Sequence, residues 1–187
     1  MWFLFTVLML NVWAIPADNV LEELEKLKAR LKSMENEIKR LTTENEAPKV
    51  AFSASLLTSL GPQSVGPFSG DFHTLIYKHV FLNIGDAYNA DTGIFTAPVR
   101  GVYVFRVFSK AFGDPEKTLT AGLFKNDQHI MSTHGHQQSG FISSSNGVSL
   151  LLEEGDEMKV NLYPDQWIFD DGRHHHSSFS GHLLFTM

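Results

Sequence analysis

Residues 83–105 read NIGDAYNADTGIFTAPVRGVYVF, and this stretch decides how the chain is divided. Its first part holds Gly93 and Pro98 among Asn and Asp residues, a density of turn formers that breaks up any helical reading. From Gly101 the pattern becomes strict alternation, with Tyr103, Phe105 and Val107 on one side and Val102, Val104 and Arg106 on the other. A period of two puts the first set on one face of a strand, and that face is expected to be core. Gly93 and Gly101 fall at strand boundaries, where turns often need positive φ, and Pro98 suggests an edge or a bulge.

The same period recurs on both sides. Upstream it begins with Val50-x-Phe52-x-Ala54-x-Leu56, followed by Gly61-Pro62 and Gly66-Pro67, and then by a strand from Leu75 to Ile84. Beyond Gly93–Val99 and Gly101–Ser109, strands are expected at Thr118–Lys125, His129–Thr133, Gly147–Leu152, Met158–Tyr163 and Phe179–Thr186. No helical pattern interrupts them. The expectation is an all-β domain from about Lys49 to Met187, an antiparallel sandwich for which a ten-strand jelly roll fits best.

Before Val50 the period is different. In LEKLKARLKSMENEIKRL, residues 24–41, the apolar side chains form the series Val20, Leu24, Leu27, Leu31, Met34, Ile38 and Leu41, spaced alternately by four and three. That is the seam of a coiled coil, with Leu24, Leu31 and Ile38 at a and the others at d. A lone amphipathic helix docked on its own domain would carry a wider apolar face. In a parallel bundle the g-to-e′ contacts pair Glu23 with Lys28 and Arg30 with Glu35, all of opposite sign. Arg30-Leu31-Lys32-Ser33-Met34-Glu35 also resembles a pattern of short parallel trimeric coiled coils, in which the Arg stem covers the seam and its head reaches a neighbouring Glu. The coiled coil is set at 18–44, with Leu24, Leu27, Arg30, Leu31, Met34, Glu35, Ile38 and Leu41 as its trimerisation residues. A linker at 45–48 ends on Pro48, which cannot continue a helix.

The first fourteen residues, MWFLFTVLMLNVWA, carry no charge and are too few to span a bilayer, so they read as a secretory signal peptide cleaved after Ala14. A net charge of −6 without any basic block argues against nucleic acid as a partner, and no segment is long and apolar enough to span a membrane. The chain has no cysteine and no Asn-x-Ser/Thr sequon, so neither disulfides nor N-linked glycans are expected to support it outside the cell.

The spacing Asn83-x4-Tyr88-x6-Phe95-x5-Gly101-x-Tyr103-x-Phe105 resembles the signature of C1q-domain proteins. Leu123-Phe124-Lys125-Asn126, Val148-x-Leu150-x-Leu152-x-x-Gly155-Asp156 and the closing Phe179-Ser180-Gly181-x-Leu183-Leu184 extend the similarity over 49–187. Tyr77 stands where that family usually has Phe, and Val107 where it usually has an aromatic residue. The resemblance implies a secreted jelly roll that assembles as a homotrimer through apolar surface and has no enzymatic activity. It implies innate-immune recognition of microbial or carbohydrate surfaces, with a cerebellin-like or hormone-like ligand for one receptor protein as the alternative. Many relatives carry a collagen stalk; here the coiled coil stands in its place.

Nine histidines invite a search for chemistry. His134-Gly135-His136 resembles half of a cupin metal motif, but Gly140 and Phe141 stand where the motif needs Glu. No Gly-x-Ser-x-Gly elbow exists for a Ser-His-Asp hydrolase. No cofactor is expected. The segment Pro164–His176 reads as a long loop before the last strand, and its ligand-binding candidates are Asp165, Trp167, Asp170, Asp171, Arg173 and His174. Asp165, Asp170 and Asp171 are oxygen donors suited to calcium, as in some C1q-domain relatives. The adjacent histidines could instead respond to pH.

Overall fold

A computed structural model describes residues 17–46 and 48–187; the segment read as a signal peptide lies outside the described residues. The chain divides into two units, Met1–Ala47 and Pro48–Met187, each described by itself.

The first holds helix α1, Ala17–Glu46, slightly longer than expected. Short ion pairs along its surface, such as Lys28–Glu25 at 2.8 Å and Arg40–Glu37 at 2.6 Å, join residues one turn apart. The heptad residues lie bare, with Leu24 the least exposed at 45% and Met34 and Ile38 the most at 60%.

The second unit contains thirteen strands: β1 Ala51–Ser55, β2 Pro62–Val65, β3 His73–Thr74, β4 His79–Ile84, β5 Tyr88–Asn89, β6 Ile94–Thr96, β7 Gly101–Phe112, β8 Leu119–Lys125, β9 Gln128–Gly135, β10 Phe141–Leu152, β11 Glu157–Leu162, β12 Ile168–Asp171 and β13 Ser178–Thr186. They form two antiparallel sheets. One runs β2-β12-β7-β13-β1-β4 with β10 along the other edge of β7; the second runs β5-β6-β11-β8-β9 with β3 against β11. The strand count exceeds the expected ten because short pieces join the ladders. Of the long strand read at Leu75–Ile84 only β4 forms, because Leu75–Lys78 is irregular, and the short β3 lies just before it. The supposed loop 164–176 contains β12, which pairs with β2 from Ile168↔Val65 to Asp171↔Pro62.

The core lies between the sheets, and alternation places its side chains. Tyr103, Phe105 and Val107 are all buried, as the period of two requires. Phe52 sits at the centre of an aromatic cluster, stacked on Tyr88 at 4.7 Å and Phe95 at 5.2 Å and edge-on to Phe179 at 4.8 Å. The signature residues have structural work there. Asn83 donates its Nδ2 to the Tyr88 carbonyl at 2.8 Å and accepts the Tyr88 N–H at 3.2 Å, which closes the turn between β4 and β5. Tyr88 Oη then donates to the Tyr77 carbonyl at 3.0 Å. Gly93 has the positive φ expected of it. Gly101 does not; a Cβ there would meet the Phe185 carbonyl at 2.6 Å, so close strand approach is what requires glycine.

Tyr77 is fully buried, and its hydroxyl has no hydrogen-bond partner among the described residues. Burial pushes its ionisation far up, so it stays a neutral donor with nowhere to donate. Tyr77→Phe is therefore expected to raise the unfolding free energy by about 1 kcal/mol. Chemical denaturation at fixed protein concentration checks this, and a loss of stability would mean that the hydroxyl is bonded.

Candidate functional site

Two regions stand out: the segment around β12, and the outer face of the seven-stranded sheet.

The six ligand-binding candidates do not form one site. Asp171 lies with Arg173 and His174: its Oδ1 accepts the Arg173 N–H and its Oδ2 faces His174 Nδ1, both at 2.9 Å. Those two contacts, the backbone one first, hold the Asp171 carboxyl below its ordinary value. Arg173 and His174 are exposed. Trp167 packs elsewhere, with Lys117 Nζ 4.8 Å over its ring. Asp165 occupies a turn with positive φ, its N–H bonded to the Phe68 carbonyl.

Asp170 requires a correction. Read as a surface contact, it is completely buried. Its Oδ1 accepts the N–H groups of His176 at 2.7 Å and Ser177 at 3.2 Å, and its Oδ2 accepts that of Leu57 at 3.1 Å. A buried carboxylate needs such partners, and here they are the backbone of two connecting segments. Asp170 thus builds the framework beneath Arg173 and His174. The Asp170 and Asp171 carboxylates are engaged with protein donors, and among the described residues no group of three acidic, His or Cys side chains is placed to hold a metal ion.

The histidines are distributed in the same way. His134 Nδ1 faces Thr120 Oγ1 at 2.9 Å, whereas His136 Nε2 faces the Pro115 carbonyl at 3.2 Å, so the two do not converge as in a cupin. His175 Nδ1 lies 2.7 Å from Ser55 Oγ. That Ser55 is fully buried, and among the described residues His175 has no carboxylate within ion-pair distance. Near the end of β7, Lys110 Nζ is 3.4 Å from both ring nitrogens of His176 and 4.5 Å over the Phe141 ring. Burial, then the charges of Lys110 and His174, pushes the His176 imidazole down.

The second region is the outer face of the sheet holding β4, β1, β13, β7 and β10. On β7 the even-numbered residues point outward, and Phe108 and Phe112 among them are exposed. Strand register sets apolar neighbours beside them. Phe185 and Leu151 flank Val102 at one end, and Phe141 pairs with Phe112 at the other, their rings 4.6 Å apart. Along β4, Phe81, Leu82 and Ile84 are also exposed. Between the apolar ends run small and polar residues, such as Ser180 and Gly147 on either side of Arg106. A solvated sheet face would be mostly polar; this much exposed apolar surface marks an interaction face. Individual strands hinted at it in the apolar Val102, Val104 and Phe108, but its assembly needed the register.

A family model described as "C1q domain" matches residues 51–184. Complement C1q tumor necrosis factor-related protein 3 of Homo sapiens is 33% identical over 138 residues, which cover 73% of this chain and 52% of that protein, and the Mus musculus protein matches equally. The chain thus spans about half the length of these curated relatives. Among solved structures, the globular domain of zebrafish complement 1qA superposes with a TM-score of 0.56 at 20% identity, covering 74% of this chain and 99% of that one. Eiger TNF from S. frugiperda gives 0.57 at 17% identity, covering 75% and 95%, and murine APRIL 0.55 at 14%, covering 73% and 99%. These likenesses establish the jelly-roll fold. The signature that closes the β4–β5 turn, the two-sheet sandwich around Phe52 and the family match agree: this chain belongs to the C1q domain family.

Proposed function

We propose that this protein is a secreted, non-enzymatic recognition module in which three copies join along the apolar sheet face and the heptad stripe. The observation that carries the reading is the coincidence of two uncovered apolar surfaces in one chain, the outer face of the seven-stranded sheet and the stripe Leu24–Leu41. Each would be wet in a monomer, and self-association covers both. Arg30 and Glu35 make no ion pair along α1, among the described residues, which leaves both for a neighbouring copy. A stripe of three heptads is marginal alone, and the sheet face adds the missing burial.

Asp165, Trp167, Asp171, Arg173 and His174 are the proposed contacts to a microbial or carbohydrate surface. Three equivalent copies would sum weak contacts by avidity. No step of catalysis is assigned to any residue.

Sedimentation of the chain from Ile15 onward, with and without a Leu31→Lys and Phe185→Lys double substitution, tests the assembly. Wild-type protein is expected at three times the protomer mass at micromolar concentration, and the double variant at a lower mass. A folded wild-type monomer would overturn the reading. The same trimer should bind immobilised polysaccharide; saturable binding to one cell-surface protein, unaffected by competing sugars, would favour a signalling ligand instead.

A further inference from the structure

The segment 172–177, which joins β12 to β13, is held by stacked imidazoles. His175 stacks on His79 of β4, with ring centroids 4.4 Å apart and planes 24° from parallel. Phe81 closes edge-on against both rings, at 4.9 Å from His175 and 4.8 Å from His79. Two residues of the same segment form a second pair, His174 on His176 at 5.5 Å and 11°. Four of the nine histidines thus meet in two stacks on one short stretch of chain.

We propose that these stacks form an acid-released strap: segment 172–177 is closed while the imidazoles are neutral and opens when they protonate. Two neutral rings stack favourably, and one charged ring over a neutral one is tolerated, but two imidazolium ions face to face repel. Among the described residues no carboxylate relieves that repulsion between His79 and His175, whereas Asp171, 2.9 Å from His174 Nδ1, favours a charged His174, so the His79–His175 stack carries the release. From β12, Asp170 is spent on three backbone N–H groups and Asp171 on Arg173 and His174. From β7 comes Lys110, next to His176. Lys78 precedes His79, and Arg173 lies on the segment itself. Among the described residues neither His79 nor His175 has a carboxylate within ion-pair distance. From β1 the only polar neighbour bonded to the stack is the uncharged Ser55.

Backbone geometry adds a stored preference for opening. His175 sits at φ 51°, a left-handed conformation that an imidazole-bearing residue holds only while its packing pays for it. The direction of linkage agrees. His176 has a folded value pushed below the ordinary one, so its contribution to closure is present above about pH 6.5 and is lost as the pH falls below that.

Opening would carry Arg173 and His174 away from their positions, so ligand would be released in acid. That consequence rests on the proposed recognition role; the opening itself does not.

Amide hydrogen exchange of residues 173–177 in the full chain tests the strap. After correction for intrinsic pH dependence, protection in the wild type is expected to fall at least about tenfold between about pH 7.5 and about pH 5, while the β1–β13 ladder keeps its protection. His79→Phe keeps an aromatic partner that cannot charge, and should hold the segment closed at both pH values. Constant wild-type protection, or equal opening in His79→Phe, would overturn the proposal. If that variant fails to fold, ring-proton NMR contacts between His79 and His175 in the wild type decide: they must be present at about pH 7.5 and lost at about pH 5, and their persistence in acid would overturn the strap. Loss of ligand binding with the strap still closed in acid would implicate the recognition reading instead.

Discussion

Replacing Phe52 by Ala is expected to lower the unfolding free energy by about 4 kcal/mol, measured by chemical denaturation at fixed protein concentration. Phe52 is 2% exposed, and its ring touches Tyr88, Phe95, Phe105 and Phe179, which come from four other strands. Truncation removes the transfer free energy of the ring and leaves a cavity that rigid strands on both sides cannot close. Gly181 shows how tight the site is: a Cβ there would lie 2.5 Å from Phe105 and 2.8 Å from Phe52. Phe52→Leu should cost clearly less, because it restores part of the volume. A loss below about 1 kcal/mol for Phe52→Ala would mean that the two sheets are not held together at this cluster.

Asp170→Ala is expected to cost about 3 kcal/mol, nearly as much, for a different reason. The substitution strands three backbone N–H groups, those of Leu57, His176 and Ser177, around a fully buried carboxylate position. Unpaired buried donors carry their whole desolvation penalty. Asp170→Asn keeps an acceptor oxygen and should recover part of the loss. The pair of variants also separates framework from contact: Asp170→Ala should disturb ligand binding together with stability, whereas Arg173→Ala should leave stability unchanged, since Arg173 is exposed and only its backbone N–H is bonded in the turn. Equal stability of Asp170→Ala and wild type would show that the carboxylate does not organise the connection from β12 to β13.

These two residues illustrate how unevenly the sequence discloses its structure. Phe52 announces itself, because Val50, Phe52, Ala54 and Leu56 alternate with polar or small neighbours. Asp170 does the opposite. It sits in an acidic run that reads as a solvated loop, yet Ile168 and Phe169 before it are buried and β12 pairs with β2. Two adjacent Asp residues and a Pro-Gln-Ser-Val partner strand have none of the composition of a sheet interior, so only the pairing reveals them.

What the sequence determined by itself is what a backbone period can encode. Heptads over Val20–Leu41 require a helix with one apolar stripe, and alternation over Gly101–Val107 requires a strand with one buried face, whatever lies around them. The remaining features needed the tertiary structure. Phe185, Val102 and Leu151 become one apolar patch only through the register of β13, β7 and β10, and His79 meets His175 only because β4 and the chain before β13 flank β1. Side chains this far apart in the chain carry no local periodic signal of their contact. Their meeting depends on which strands pair and at which residue, a choice made by the whole folded core.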